Sequence, residues 1–188
     1  MECFCTYYFL EEELQQIIEQ SQAALVVMGM AERTFEQDLL GNTTTSVIKN
    51  LNIPVLAVPS NARFKDAKKI LFACDALSFS SAKKHSWFMQ IAKTLKAEVK
   101  FFSVNEKVEY LIEEQENIEA FENVKFVYKS VRSSSVVNEI KHEINTNGAD
   151  ILVMVPQKYG FWDSLVHVSK TRIMAAGLDI PLLSIPNF

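Results

Sequence analysis

The chain reads as a doubly wound α/β fold on a parallel sheet, preceded by a partial copy of the same fold. Three features predict this. Short apolar runs rich in valine and isoleucine recur, the mark of parallel strands covered on both faces. Segments of helical spacing separate them. The chain also repeats itself. From Gln22 to Asn50 it aligns with a later stretch at a constant offset of 126, and one inserted residue then brings Pro54 onto Pro181. Ala23, Val27, Met28, Phe35, Leu39 and Thr45 find identical partners in Ala149, Val153, Met154, Phe161, Leu165 and Thr171, and Pro54, Leu56 and Pro59 match Pro181, Leu183 and Pro186.

Taken in order, "CFCTYYF" (Cys3–Phe9) reads as a strand, and Leu14, Ile17 and Ile18 mark one face of a helix. "ALVVM" is the next strand. "MGMAERTFEQDLLGNTTTSVI" then leads through a turn into a threonine-rich helix, and "PVLAV" closes the first unit. Proline at the start of that strand removes no needed ladder bond. "SNARFKD", Ser60–Asp66, is a short polar boundary. Beyond it "KKILFACD" is a strand ending at Asp75, and Ser78, Ser80 and Ser81 are N-cap candidates for a helix. The apolar face of that helix is read as His85, Phe88, Ile91, Ala92 and Leu95. "AEVKFFSV" follows, then a helix over Glu106–Glu122 with seven glutamates, most simply a solvated face. "VKFVYKS" is another strand. Val136, Val137, Ile140 and Ile144 mark a helix for which Gly148 fits the C′ position. "ILVMV" and "PLLSI" are the last two strands.

The expected division is a partial unit over residues 1–62 and a complete one over 63–188. The first unit lacks two strand–helix pairs. In a sheet of order 3-2-1-4-5 the missing strands separate strand 3 from strand 4, so its edges must be paired, covered or supplied by another chain. Either residue 1 is not the native start of a longer tandem protein, or this is a half-domain that borrows strands from a partner. Both readings lead to a homo-oligomer or to strand pairing with another chain.

Composition narrows the class. The 188 residues are 48% hydrophobic and 22% charged, ordinary for a globular protein. A net charge of −4 argues against broad nucleic-acid binding, which needs clustered lysine and arginine. No apolar run approaches the roughly 20 residues that span a bilayer. The N-terminus turns acidic at once and is unlike a signal peptide. Cys3, Cys5 and Cys74 make no disulfide framework and suit a reducing cytoplasm. No second cysteine pair or nearby histidine completes a metal site around Cys3 and Cys5.

On these strands, helices and repeats the chain resembles the universal stress protein family in its tandem form. That resemblance implies an adenine nucleotide alpha hydrolase-like sheet of order 3-2-1-4-5, frequent dimerisation and, in many members, ATP at the switch point. The family's phosphate motif is Gly-x2-Gly-x9-Gly-Ser/Thr after strand 4. Its places fall here on Gly29, Glu32, Asn42 and Thr43, with Gly41 one place early, and in the second unit on Val155, Lys158, Val168 and Ser169. The resemblance places Asp75 at the strand-1 aspartate and Val104 at the adenine-facing position. The candidate nucleotide residues are therefore Asp75, Val104, Ser169, Lys158, Gly29, Gly41, Asn42 and Thr43.

The loop itself is degenerate. A phosphate cradle needs backbone N–H groups turned toward the anion, which glycine permits and a β-branched residue resists. Glu32 would add a repulsion of about 1 kcal/mol per charge pair at 4 Å in water and about 4 at intermediate dielectric. Lys158 has the favourable sign, but valines flank it in the motif. Tyr159, Phe161 and Trp162 crowd the same loop, either filling a vacated cleft or stacking on a base or partner surface. Asp75 suits a ribose hydroxyl or a helix cap equally. His85, His142 and His167 lie apart on different helices, with no nucleophile or orienting acid identified for any of them. The expectation is a cytoplasmic, non-enzymatic stress protein without a cofactor, acting through oligomerisation or ligand sensing. The alternative is a module that binds ATP with magnesium, hydrolysing it weakly if at all, through Asp75 and a cleft composed from both units.

Overall fold

A computed structural model of the chain describes residues 3, 10–30, 42–63, 66–74, 82–105, 124–155 and 179–186. The elements are α1 (Leu10–Ser21), β1 (Val26–Gly29), α2 (Asn42–Asn50), β2 (Val55–Val58), β3 (Lys69–Ala73), α3 (Ala82–Leu95), β4 (Glu98–Val104), β5 (Phe126–Val131), α4 (Val136–Asn147), β6 (Ile151–Met154) and β7 (Leu182–Ser184). Residues 4–9 of the expected first strand, the acidic helix at 106–122 and the serine caps at 78–81 lie outside the described residues.

All seven strands form one sheet in the order β1-β2-β7-β6-β3-β4-β5. From β7 to β5 every pairing is parallel, which is the 3-2-1-4-5 arrangement expected of the second unit. β1 and β2 also pair in parallel, Val26 with Val55 through Gly29 with Val58. The one antiparallel junction joins β2 to β7, with Leu56 opposite Leu183. Leu56 and Leu183 are also partners in the sequence repeat, so a local two-fold axis passes between them. The edge of β2 that sequence alone leaves open is thus paired by the last strand of the same chain. β1 has no second strand partner among the described residues.

Side-chain alternation along the strands sorts the core into two faces. On one, Leu71, Ala73, Phe102, Leu152 and Met154 pack beneath Val137, Ile140 and Ile144 of α4. Val26, Met28 and Val55 continue this face under Leu10, Leu14 and Ile18 of α1 and Val47 of α2. On the other, Ile70, Phe72, Phe101 and Val153 pack beneath Phe88, Met89 and Ala92 of α3. Phe72 sits 5.0 Å from Phe88 and 5.4 Å from Phe101, ring to ring, both tilted. Met89 is fully buried, although the helical pattern singled out its neighbours instead. Gly148 ends α4 at φ 63°, ψ 48°, with its N–H donating to the carbonyl of Ile144, which is the role expected of it.

One charged residue enters this core. Glu143 of α4 is 1% exposed, and its carboxylate lies 2.6 Å from Lys100 Nζ and 2.5 Å from Lys129 Nζ. Those lysines rise from β4 and β5 two residue rows apart on the α4 face. Lys129 also stands 5.8 Å above the Phe102 ring. Burial by itself would raise the Glu143 pKa. Hydrogen bonds and charge from Lys100, then Lys129, more than offset it and hold the carboxyl below its ordinary value of 4.5.

Among the described residues no helix is long and apolar enough to cross a membrane, and no group of three or more metal-binding side chains occurs. Neither Cys3, which is exposed, nor Cys74, which is buried, forms a disulfide.

Candidate functional site

In a doubly wound sheet the ligand crevice opens beyond the carboxyl ends of the strands where the order reverses. Here that place lies between β3 and β6, the strands that run out to Cys74 and Val155. Cys74 is buried there, its N–H donating to the Phe102 carbonyl at 2.9 Å and its thiol to the same oxygen at 3.6 Å. Val104 ends β4 beside it, 7% exposed and packed in the α4-side core. Next, Asn105 takes a left-handed φ of 68°. Its Nδ2 donates to the Ser133 carbonyl at 2.7 Å, and its Oδ1 accepts from the Ser133 N–H at 2.9 Å. The amide thus bridges the loops that follow β4 and β5. Asparagine tolerates this φ better than most residues and supplies both a donor and an acceptor. Sequence reading missed Asn105; the signal was an asparagine at a strand exit.

Val155 is the informative position. It stands where the first phosphate glycine is expected and is 1% exposed, packed in the cluster that holds Cys74, Phe88 and Ile185. Its side chain occupies core volume on the way into the loop. Asp75, Lys158 and Ser169, and the Tyr159, Phe161 and Trp162 ring cluster, lie outside the described residues.

The first unit differs. Gly29 ends β1 exposed, without a positive φ, and a Cβ added to it would meet nothing within 4 Å. Asn42 opens α2 and Thr43 is exposed in its first turn, while Thr44 is buried. Gly41 and the chain from 31 to 41 lie outside the described residues. Since neither φ nor crowding requires glycine at 29, Gly29→Ala is expected to leave the fold intact. It should raise stability by up to about 0.5–1 kcal/mol by restricting the unfolded chain, read as an upward shift in thermal midpoint. A clear loss would show a close neighbour at that position.

The two places do not converge. Because β2 and β7 run antiparallel, Gly29 shares a sheet end with Ile151, whereas Val155 shares one with Leu25. Three strand spacings and four residue rows put Gly29 and Val155 about 20 Å apart, with their chains leaving in opposite directions. The expected cleft composed from both units is therefore corrected: each unit's strand ends face a different pole of the sheet.

Comparison with known proteins agrees with this architecture. Residues 10–59 match the model of the universal stress protein family. No curated protein sequence matches the chain. Among solved structures, a universal stress protein from Archaeoglobus fulgidus DSM 4304 superposes with a TM-score of 0.66 at 16% identity, covering 93% of this chain and 65% of that one. A functionally unknown protein from Pseudomonas aeruginosa PAO1 gives 0.66 at 14% identity, covering 95% and 68%. The chain spans less than two thirds of the length of the Archaeoglobus protein. The family match falls on the unit that keeps Gly29 and Thr43, and the structural match extends the same fold across the second. Over residues 10–59 the chain is thus similar to the universal stress protein family, and along nearly its whole length it shares the fold of these solved structures.

Proposed function

We propose that this is a non-enzymatic universal stress protein whose nucleotide crevice no longer seats a triphosphate, and which acts through oligomerisation or ligand sensing. The observation that carries the reading is Val155, buried in the core at the place where the phosphate loop needs a glycine. Exchanging that valine for room would open a hole in a packed cluster, so the side chain serves the fold at the expense of the cradle. In the first unit Gly29 remains, but β1 lacks the neighbouring strand that would form the other wall of its crevice among the described residues. On this reading the second unit offers no seat for a nucleoside triphosphate with magnesium, with Val155 in place of the first glycine. The edge of β1, unpaired among the described residues, supports association with another chain.

A second reading, an ATP-binding module using Asp75, is favoured by Val104 at the adenine-facing position and by the Asn105 bridge that fixes the rim. Calorimetric titration with ATP and magnesium separates the two. The expected result is no saturable heat up to about 1 mM, a limit of roughly 4 kcal/mol of binding free energy, with Asp75→Ala behaving identically. Micromolar affinity that disappears in Asp75→Ala would establish the second reading instead.

A further inference from the structure

On the α3 side of the sheet, toward the pole where β3 and β6 begin, lies a cavity of about 500 Å³. Sites for small molecules span roughly 300–1,000 Å³, mostly apolar with a few placed polar groups. Leu56 and Leu183, opposite each other at the β2–β7 junction, line it together with Leu25. Ile91 and Leu95, which pack against the α3-side core, border it as well. The linker residues Asn61, Ala62 and Arg63 close another side. Val27, on the same face but 63% exposed, stands outside it, whereas its repeat partner Val153 is fully buried. The cavity is thus a local recess and not the whole face of β1.

Its polar lining carries a sign. Asp150, directly before β6, accepts the N–H groups of Lys68 and Lys69 on one carboxylate oxygen, each at 2.8 Å. Asp179, just before β7 on the neighbouring strand, accepts Asn61 Nδ2 at 2.6 Å. Neutral donors therefore fix both carboxylates, and among the described residues neither meets a cation at ion-pair distance. The ammonium groups of Lys68 and Lys69 turn elsewhere, to the carbonyls of Leu95 and Asn147. Each carboxylate keeps lone pairs for a further donor. Arg63 is the cationic residue of the lining, exposed, on a long stem that lets its guanidinium stay in water. Two carboxylates against one guanidinium leave one negative charge in excess. An apolar recess with such a lining is complementary to an apolar body that carries an ammonium group, whose hydrogen bonds to carboxylate are charge-assisted.

We propose that this cavity binds a small amphipathic organic cation, its apolar body against Leu25, Leu56 and Leu183 and its ammonium group on Asp150 and Asp179. The proposal does not depend on the nucleotide reading, since Cys74 and Val155 mark the opposite pole of these strands. Calorimetric titration of the full chain with octylamine, octanol and octanoate tests it, because the three share one tail and differ in head charge. The expected result at pH 7 is saturable, submillimolar binding of octylamine, with octanol and octanoate weaker by about tenfold or more. Asp179→Asn should remove most of the preference for octylamine over octanol. Ala62→Trp, which fills the recess from the half-buried linker, should abolish octylamine binding with melting unchanged. No saturable heat with octylamine up to about 1 mM would overturn the proposal. So would equal affinity for the three heads, which would mark an unselective apolar recess, or tightest binding of octanoate, which would make Arg63 the recognising group. Octylamine binding that survives both variants would overturn it by placing the amine elsewhere on the chain.

Discussion

Glu143→Ala is expected to lower the unfolding free energy by about 3 kcal/mol, measured by urea titration at pH 7. The buried carboxylate serves two ammonium groups at once, at 2.6 and 2.5 Å. Removing it leaves two like charges facing each other beside an apolar cluster, with a hole where the side chain stood. Lys100 and Lys129 keep partial access to solvent, so the loss stays near the lower end of the range for a broken buried pair. Glu143→Gln keeps the shape and removes the charge, and its loss should be similar at pH 7. The pH dependence has a definite sign. The folded-state pKa lies below the ordinary 4.5, so this carboxylate's contribution is complete above that value and disappears as pH falls through the folded-state pKa. Between pH 7 and acid, wild type should lose stability that Glu143→Gln does not lose.

The second large effect is a contrast between matched positions. Val153→Glu is expected to destabilise the chain by more than about 4 kcal/mol, enough to leave much of it unfolded, because an unpaired carboxylate would enter the α3-side core. Val27→Glu, the same exchange at the symmetry-related place, should stay within about 0.5 kcal/mol. Denaturant midpoints of the two variants measure the difference directly. Equal effects would mean that Val27 is covered in solution.

The fold was legible to the extent that a strand announces itself by what both its faces meet. "ILVMV" and the "ILFAC" within "KKILFACD" are apolar throughout because helices lie above and below them, and they became β6 and β3 within a residue or two. Gly148 could be placed because only a left-handed turn after a helix explains a glycine following asparagine there. The junction was harder. Nothing in "PVLAV" or "PLLSI" states that one will lie antiparallel against the other, since pairing partners are set by tertiary geometry and not by local pattern. The Glu143 cluster also escaped notice, although its signal was present. The glutamate stands three residues after Ile140, within the apolar stripe of α4, and lysines occupy inward positions in two neighbouring strands. For the candidate site, the sequence could not tell that Val155 is core and that Gly29 lies at the far pole. The first follows from packing against Cys74, Phe88 and Ile185, the second from the direction of β2 relative to β7.

That junction also sets an order of assembly on the ribosome. Leu56 is translated 127 residues before the Leu183 it faces. At roughly 5–20 residues per second, the nascent β1–β2 pair waits about 6–25 s for its template. A lone two-stranded pair is marginal in water, so the early segment must persist as a partly formed guest until β7 arrives to recruit it.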